Sequence, residues 1–194
     1  MKAKSMLWSL ALAALTATAH AEIRAFTFTG TVTESLPMAL AGSRLTGTFS
    51  YDIESVPYLQ TGDPAGPGSG DASYLAKGNL AMTVNGHSLT AATTVIYVVN
   101  NFGGNVEDAV SVFGETMTLD GTLFPEGTFG FYVGSGPGKR DVLRGTALPQ
   151  TIPVERYDAA NFGWVLVDAG ANGTVLTFRI DRVVPRTTAA IDTE

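Results

Sequence analysis

One stretch decides the fold of this chain: residues 74–100, which read YLAKGNLAMTVNGHSLTAATTVIYVVN. Asn85-Gly86 lies near its centre, and this dipeptide favours a two-residue hairpin turn because both residues tolerate the positive φ of a type I′ turn. The turn also fixes a register, in which Val84 faces His87 and the pairs continue outward from there. The stretch therefore predicts a β-hairpin.

Alternation along this hairpin separates an apolar face from a polar one, because successive side chains of a strand point to opposite sides. The apolar face collects Tyr74, Ala76, Leu80, Met82, Val84, Leu89, Ala91, Val95 and Tyr97. The polar face collects Lys77, Asn79, Thr83, Ser88, Thr90 and Thr94. A sheet with one apolar face packs that face on a second layer. Val95 to Val99 is apolar on both faces, which predicts a central position for the second strand.

The same alternation recurs along the rest of the chain, and Asp120-Gly121 and Asn172-Gly173 are further turn signals. Predicted strands run from Ile23 to Thr33, Arg44 to Asp52, Val110 to Leu119, Gly127 to Val133, Phe162 to Val167 and Thr174 to Val183. A break in the alternation near Gly114 predicts a bulge. Thr61 to Ser73, rich in Gly, Pro and Asp, is predicted to be a loop. The pattern indicates an all-β fold: an antiparallel β-sandwich or jelly roll of about eight or nine strands.

Residues 1–21 have the pattern of a secretory signal peptide. Lys2 and Lys4 form a basic start, Met6 to Ala17 is almost wholly apolar, and Ala19-His20-Ala21 supplies a small-x-small cleavage site. The apolar stretch is too short to span a bilayer. We therefore expect export, a single β domain over residues 22–183 and a disordered tail over residues 184–194.

The net charge indicates which partners to expect, and the lack of cysteine indicates how the fold is stabilised. Without Lys2 and Lys4, 10 of the 12 basic residues remain against 18 acidic ones, a net charge of −8. An acidic protein repels nucleic acid and anionic lipid, so neither is expected as a partner. The chain contains no Cys, although an exported compartment permits disulfides. Its stability is therefore expected to come from packing of one core.

Three stretches resemble the exported proteins of Gram-negative bacteria that carry a C-terminal Pro-Glu-Pro sorting signal (the PEP-CTERM group). They are Phe28-Thr29-Gly30-Thr31-Val32-Thr33, Leu45-Thr46-Gly47-Thr48-Phe49-Ser50-Tyr51-Asp52 and Met82-Thr83-Val84-Asn85-Gly86. The resemblance covers roughly the N-terminal half of the chain. It implies a β-sandwich ectodomain with a destination at the cell surface or in the extracellular matrix, and it supplies no catalytic residues.

The C-terminal part departs from that group. The sorting signal is Val-Pro-Glu-Pro followed by an apolar span and a basic cluster, whereas Val184-Pro185 is followed here by Arg186 and the polar stretch from Thr187 to Glu194. The anchoring step is therefore not carried over. We expect a secreted protein, periplasmic or extracellular, with no membrane span after signal cleavage.

Four aromatic residues in or beside predicted loops are candidate binding residues: Tyr58, Phe102, Tyr157 and Phe162. Exposed aromatic rings stack on sugar rings and anchor protein contacts. The alternative is that they cap the ends of the core. They point to polysaccharide or a surface protein as the partner.

Calcium is the one cofactor that the sequence suggests, and no other is expected. Asp52, Asp63 and Asp71 lie in or beside the Gly/Pro-rich loop, and Ca²⁺ takes six to eight oxygens from carboxylates and loop carbonyls. The three residues lack the spacing of a calcium-binding loop. Ordinary loop composition explains them as well.

No catalytic residue is assigned. His87 is the single His after residue 21, and a base needs an orienting partner and a nucleophile, while neighbouring Ser88 points to the opposite face. Glu107-Asp108 and Glu115 are the carboxylates considered for glycoside hydrolysis. Two hypotheses follow: a non-catalytic binding or structural protein of the cell surface or matrix, and a carboxylate-dependent hydrolase acting on extracellular glycan.

The signal peptide gives a first prediction. Cleavage after Ala21 leaves Glu22 as the first residue, because the small-x-small motif ends there. Mass spectrometry of secreted protein is expected to give an N-terminal peptide that begins at Glu22. Intact Met1 in secreted material would contradict the prediction.

Overall fold

A computed structural model of the chain describes residues 22–61, 70–76, 79–101, 108–136, 142–168 and 173–186. These residues form ten strands and one short 3₁₀ turn, Val154–Arg156, with no α-helix among them. The strands are β1 Ile23–Val32, β2 Arg44–Asp52, β3 Leu59–Thr61, β4 Gly70–Ala76, β5 Ala81–Val84, β6 His87–Asn100, β7 Ala109–Leu119, β8 Thr122–Gly134, β9 Ala160–Leu166 and β10 Thr174–Pro185.

Eight of these strands form a closed antiparallel sheet. The order is β6-β5-β2-β1-β10-β9-β8-β7, and β7 pairs again with β6. The predicted all-β, antiparallel class is confirmed. The sequence predicts two packed sheets, whereas the structure forms one barrel. Alternation could not distinguish the two because both architectures bury one face of every strand.

The hairpin around Asn85-Gly86 has the predicted register. Val84 faces His87, and both turn residues have positive φ, at 48° and 85°. Strand β6 is central, as predicted, because it pairs with β7 along one edge and with β5 and β4 along the other.

The segment before the turn differs from the prediction. It holds two strands, because Gly70–Ala76 pairs with the second half of β6 and Ala81–Val84 with its first half. The predicted loop from Thr61 to Ser73 is therefore shorter, since Gly70 to Ser73 belongs to β4. The residues between β3 and β4, 62–69, lie outside the described residues.

The predicted faces of β6 are correct only as far as Ala91. Leu89 and Ala91 belong to the core, but farther along the strand Ile96 and Val98 do, which places Val95 and Tyr97 on the outer face. The alternation of β7 shifts at the same level: Val110 and Val112 point into the core on one side of the shift and Met117 on the other. The bulge predicted near Gly114 is confirmed: the β7–β8 register shifts between Glu115 and Met117, where Thr116 has a φ of 56°.

Phenylalanine rings fill the barrel interior. Phe26 and Phe49 stack with ring centroids 4.8 Å apart, and Phe131 packs on Phe49 at 5.7 Å and on Phe28 at 5.3 Å. An eight-stranded barrel is just wide enough for side chains to fill. The interior is therefore a packed core.

Residues 142–157 close one end of the barrel, and their buried side chains include Leu143, Leu148, Ile152, Val154 and Tyr157. Hydroxyl groups from two strands hold this segment: Tyr74 donates to the Thr146 carbonyl at 2.8 Å, and Tyr51 donates to the Pro149 carbonyl. The buried Asp108 carboxylate accepts from the backbone N–H of Leu143 at 2.8 Å. These contacts hold in place a segment that contributes no strand to the barrel.

Residues 33–43 lie at the other end, where Met38 and Ala39 are buried and the Asn85 side chain donates to the Met38 carbonyl at 3.3 Å. Strand β10 continues to Pro185, which faces Phe26 in β1. Val184 and Pro185 therefore belong to the barrel and not to the predicted tail, of which residues 187–194 lie outside the described residues.

Packing at Gly163 gives a second prediction. A Cβ there would overlap the ring of Phe178, so Gly163→Ala is expected to lower the free energy of unfolding by about 1–3 kcal/mol. In a Phe178→Leu background the ring is absent, and the same substitution is expected to have a smaller effect. Urea unfolding followed by circular dichroism measures both differences. Equal losses in the two backgrounds would refute the ring contact as the cause.

Candidate functional site

The outer surface of the barrel has two chemically different sides. On β1, β2 and β5 the outward residues include six threonines and no aromatic residue: Thr27, Thr29, Thr31, Thr46, Thr48 and Thr83. On β7, β8 and β9 they include Phe113, Tyr132, Phe162 and Trp164. We call these four residues the aromatic face.

The sheet register brings the four rings together. Tyr132 faces Phe162 across β8 and β9, with ring centroids 5.6 Å apart. Phe162 and Trp164 lie two positions apart in β9, at 6.0 Å, and Trp164 is 6.5 Å from Phe113 in β7. These distances lie in the range of interacting aromatic pairs. The four rings therefore form one continuous surface.

Gly130 makes the contact between Phe113 and Trp164 possible. It lies between them in the register, paired with Phe113 on one side and Trp164 on the other. A Cβ at this position would lie 2.6 Å from the Phe113 Cβ, which is too close for a real side chain. Because Gly130 carries none, the two rings meet across the middle strand.

A groove of about 480 Å³ lies beside these rings. Its lining includes Phe113, Trp164, Ser111, Thr128, Glu115 and Glu126. The groove follows the β7–β8 irregularity, where Phe124 to Thr128 lies opposite only Glu115 to Met117. The surface therefore combines aromatic rings, hydroxyl groups and two carboxylates.

Of the four predicted binding residues, Phe162 lies in the aromatic face and is 51% exposed. Tyr58 is 58% exposed and lies immediately before β3, away from these rings. Tyr157 is only 2% exposed, within the segment that closes the barrel. Phe102 lies outside the described residues. The structure therefore brings only Phe162 to the aromatic face.

The Tyr157 hydroxyl is buried, and this burial changes its pKa. Desolvation raises the pKa of its hydroxyl, and the nearby Asp108 carboxylate raises the pKa further. The hydroxyl has no hydrogen-bond partner among the described residues. Tyr157 thus corresponds to the alternative considered for the loop aromatics, a ring that caps the end of the core.

Sequence reasoning missed Phe113, Tyr132 and Trp164. The signal was present: Tyr132 alternates with the core residues Phe131 and Val133, so it points outward if they point inward. Recognising a shared surface also required the pairing of β7, β8 and β9, which no local pattern supplies.

Two of the three predicted calcium ligands lie among the described residues, and each accepts a hydrogen bond from a nearby residue. Asp52 accepts the backbone N–H of Glu54 at 3.0 Å, in a local turn at the end of β2. Asp71 in β4 accepts a hydrogen bond from the Thr61 hydroxyl. Asp63 lies outside the described residues. Among the residues that the structure describes, no three His, Cys, Asp or Glu side chains group as metal ligands would.

His87 has a partner that the sequence did not reveal. Its Nδ1 lies 2.6 Å from Oδ2 of Asp120, whose Oδ1 accepts the backbone N–H of Ser88 at 2.8 Å. The pair joins two adjacent turns of one kind, since Asp120-Gly121 repeats the positive φ values of Asn85-Gly86. Hydrogen bonds from His87 and Ser88 hold the pKa of Asp120 below its ordinary value. The Ser88 side chain lies on the opposite face of β6 and therefore does not complete a catalytic group with His87. The His87–Asp120 contact instead links the two turns, and we call it the Asp120 clamp.

In the described part of the chain, no helix has the length and apolar character needed to cross a bilayer. Comparisons with protein-family models, with curated proteins and with solved structures find no match for this chain. The site is therefore interpreted from its own geometry.

Acid sensitivity of the Asp120 clamp gives a third prediction. A folded-state pKa below the unfolded one means that the carboxylate stabilises the fold above the ordinary value of 3.8 and that this contribution is lost as pH falls through the folded-state pKa. Asp120→Asn is therefore expected to lower the free energy of unfolding at neutral pH. The difference from the unmodified protein should shrink below pH 3.8.

Urea unfolding at a series of pH values measures this difference. Ser88→Ala is the matched control, because it keeps the backbone N–H that donates to Asp120. A difference for Asp120→Asn that stays constant into the acid range would show that the charge is not its source.

Proposed function

We propose that this chain is an exported, non-catalytic β protein that binds polysaccharide at the cell surface or in the extracellular matrix. The single observation that carries the proposal is the aromatic face, in which four ring side chains adjoin on the outside of a closed barrel. Export rests on the signal-peptide pattern of residues 1–21. The extracellular destination rests on the resemblance of the N-terminal strands to the PEP-CTERM group.

Aromatic residues at outward strand positions favour a binding role for this surface. An outward position gains little from an apolar side chain unless something covers it, and contiguous exposed apolar surface marks interaction sites. Threonines at the equivalent positions of β1, β2 and β5 show that this barrel does not require aromatic residues there. A bound ligand would cover the rings.

Sugar polymers suit this surface because they combine apolar ring faces with many hydroxyl groups. Phe113, Trp164 and Phe162 offer flat apolar surfaces on which such faces stack. The neighbouring groove supplies Thr128 and the two glutamates for hydrogen bonds to hydroxyl groups. Stacking and hydrogen bonding are thus available side by side.

A specific observation favours the second candidate, a hydrolase that acts on extracellular glycan. Glu115 and Glu126 line the same groove, and glycoside hydrolysis uses a pair of carboxylates. Asp108, the other carboxylate considered, is fully buried and accepts backbone N–H groups of Asn101 and Leu143. Glu107 lies outside the described residues. Cleavage therefore has to be tested at the groove.

Binding gives a fourth prediction, with Trp164 as the reporter. The chain has two tryptophans, and Trp8 lies in the segment expected to be removed, so the fluorescence of the exported protein comes from Trp164. Titration with soluble oligosaccharides of glucose and of N-acetylglucosamine is expected to change this fluorescence saturably. Phe113→Ala is expected to weaken binding about tenfold, which is ~1.4 kcal/mol, because it removes one wall of the groove.

Leu123→Ala is the control, because Leu123 is 59% exposed on β8 but lies outside the aromatic face. It should leave the affinity unchanged. Release of reducing ends, abolished by Glu115→Gln, would replace the binding proposal with the hydrolase. No fluorescence change with any oligosaccharide would overturn polysaccharide binding.

A further inference from the structure

We infer that the groove beside the aromatic face selects a glycan that carries ammonium groups, such as a polymer of amino sugars, over neutral and acidic glycans. The inference rests on the proposed function, since it names the class of polysaccharide. It is based on the negative charge of the groove and on its two carboxylates, which form no ion pair with any described residue.

The groove brings two carboxylates and two rings together. Glu115 and Glu126 are both exposed, and both line the groove with Phe113 and Trp164. The shift in the β7–β8 register places Glu126 in the stretch of β8, Phe124 to Thr128, that lies opposite Glu115 to Met117. No basic residue of the described ranges lines the groove.

The arginines that the structure describes lie in other parts of the molecule. Five are in β1, β2 and β10 or directly after β10: Arg24, Arg44, Arg179, Arg182 and Arg186. Arg144 and Arg156 lie in the segment that closes the barrel. The groove is thus a negative site with no cation from this part of the chain to neutralise it.

Several other acidic side chains of the barrel have partners within the protein. Asp120 binds His87, Asp181 accepts from Thr31 and Arg179, and Asp108 accepts backbone N–H groups. Glu115 and Glu126 form no ion pair with any described residue. Their carboxylates remain available to a ligand.

An ammonium group fits this combination better than the alternatives. Carboxylates form charge-assisted hydrogen bonds with it, and the face of an aromatic ring attracts it, tryptophan most strongly. An acidic sugar would meet two like charges in the groove and the net negative charge of the whole chain, −6. A neutral sugar would stack on the rings but gain no ionic contact.

Three oligosaccharides of equal length form the test: glucosamine, N-acetylglucosamine and glucuronic acid oligomers, each titrated against Trp164 fluorescence of the exported protein. All three titrations are made in the same buffer at the same pH, so that only the charge of the oligosaccharide differs. We expect the glucosamine oligomer to bind at least about tenfold more tightly than the acetylated one and the acidic one to bind most weakly. The preference should decline as salt screens the charges.

The variant Glu115→Gln/Glu126→Gln should reduce this preference to near unity, because glutamine removes the charge and keeps a side chain of similar shape that can form hydrogen bonds. Glu54→Gln/Glu155→Gln is the matched control, because it changes the net charge equally at two exposed positions outside the groove. The control should keep the full preference. A loss in both variants would assign the effect to overall charge and overturn the groove as its source.

The remaining outcomes separate this inference from the proposed function. Equal affinity for the glucosamine and acetylated oligomers would overturn the inference alone. If none of the three oligosaccharides changes the fluorescence of Trp164, polysaccharide binding itself is overturned. A lysine-rich peptide that binds more tightly than the glucosamine oligomer would show that the occupant is a basic protein segment, and this too would overturn the inference.

Discussion

The pairing of the first strand with the last is the constraint on which the rest of this structure depends. It joins Phe26 to Pro185 and Val32 to Phe178, residues separated by most of the described chain, and it turns an open sheet into a barrel. Closure removes the edges of these eight strands, which would otherwise invite pairing with other chains, and leaves β3, attached through β4, as an edge strand. It also encloses the phenylalanine core, so a ligand meets the outer surface, the grooves and the loops.

Closure makes the outer surface informative. Inward positions are all committed to packing, whereas outward positions are free to vary with little effect on the core. On β1, β2 and β5 they include six threonines, as expected for a solvated strand surface. Aromatic rings fill them on β7, β8 and β9, where Gly130 leaves room for Phe113 and Trp164 to meet. The two sides belong to the same sheet and have the same backbone structure. The fold alone therefore does not explain why one side carries threonines and the other aromatic rings.

Local chemistry was enough to predict some of this molecule. Asn85-Gly86 and Asp120-Gly121 set their turns, and the first fixed a correct register, because two residues with positive φ determine the backbone there. Prediction failed where distant pairing decides. Val95 and Tyr97 lie on the outer face because the alternation of β6 shifts beyond Ala91, at the level of the irregularity at Thr116 in β7. Tyr157 is buried in the segment that closes one end of the barrel. The aromatic face was missed for the same reason, since its rings lie on three strands.

The candidate site arises from an irregularity in the sheet. Between Glu115 and Met117, strand β7 lies opposite a longer stretch of β8, which leaves Pro125 to Gly127 without regular partners. A regular ladder would give a nearly flat surface, whereas bulges re-aim side chains and recur next to functional sites. Glu126 reaches the groove from this bulge, and Phe113 borders it from the regular ladder. Substitutions in the bulge can therefore alter the charge of the groove without changing the β1–β10 pairing that closes the barrel.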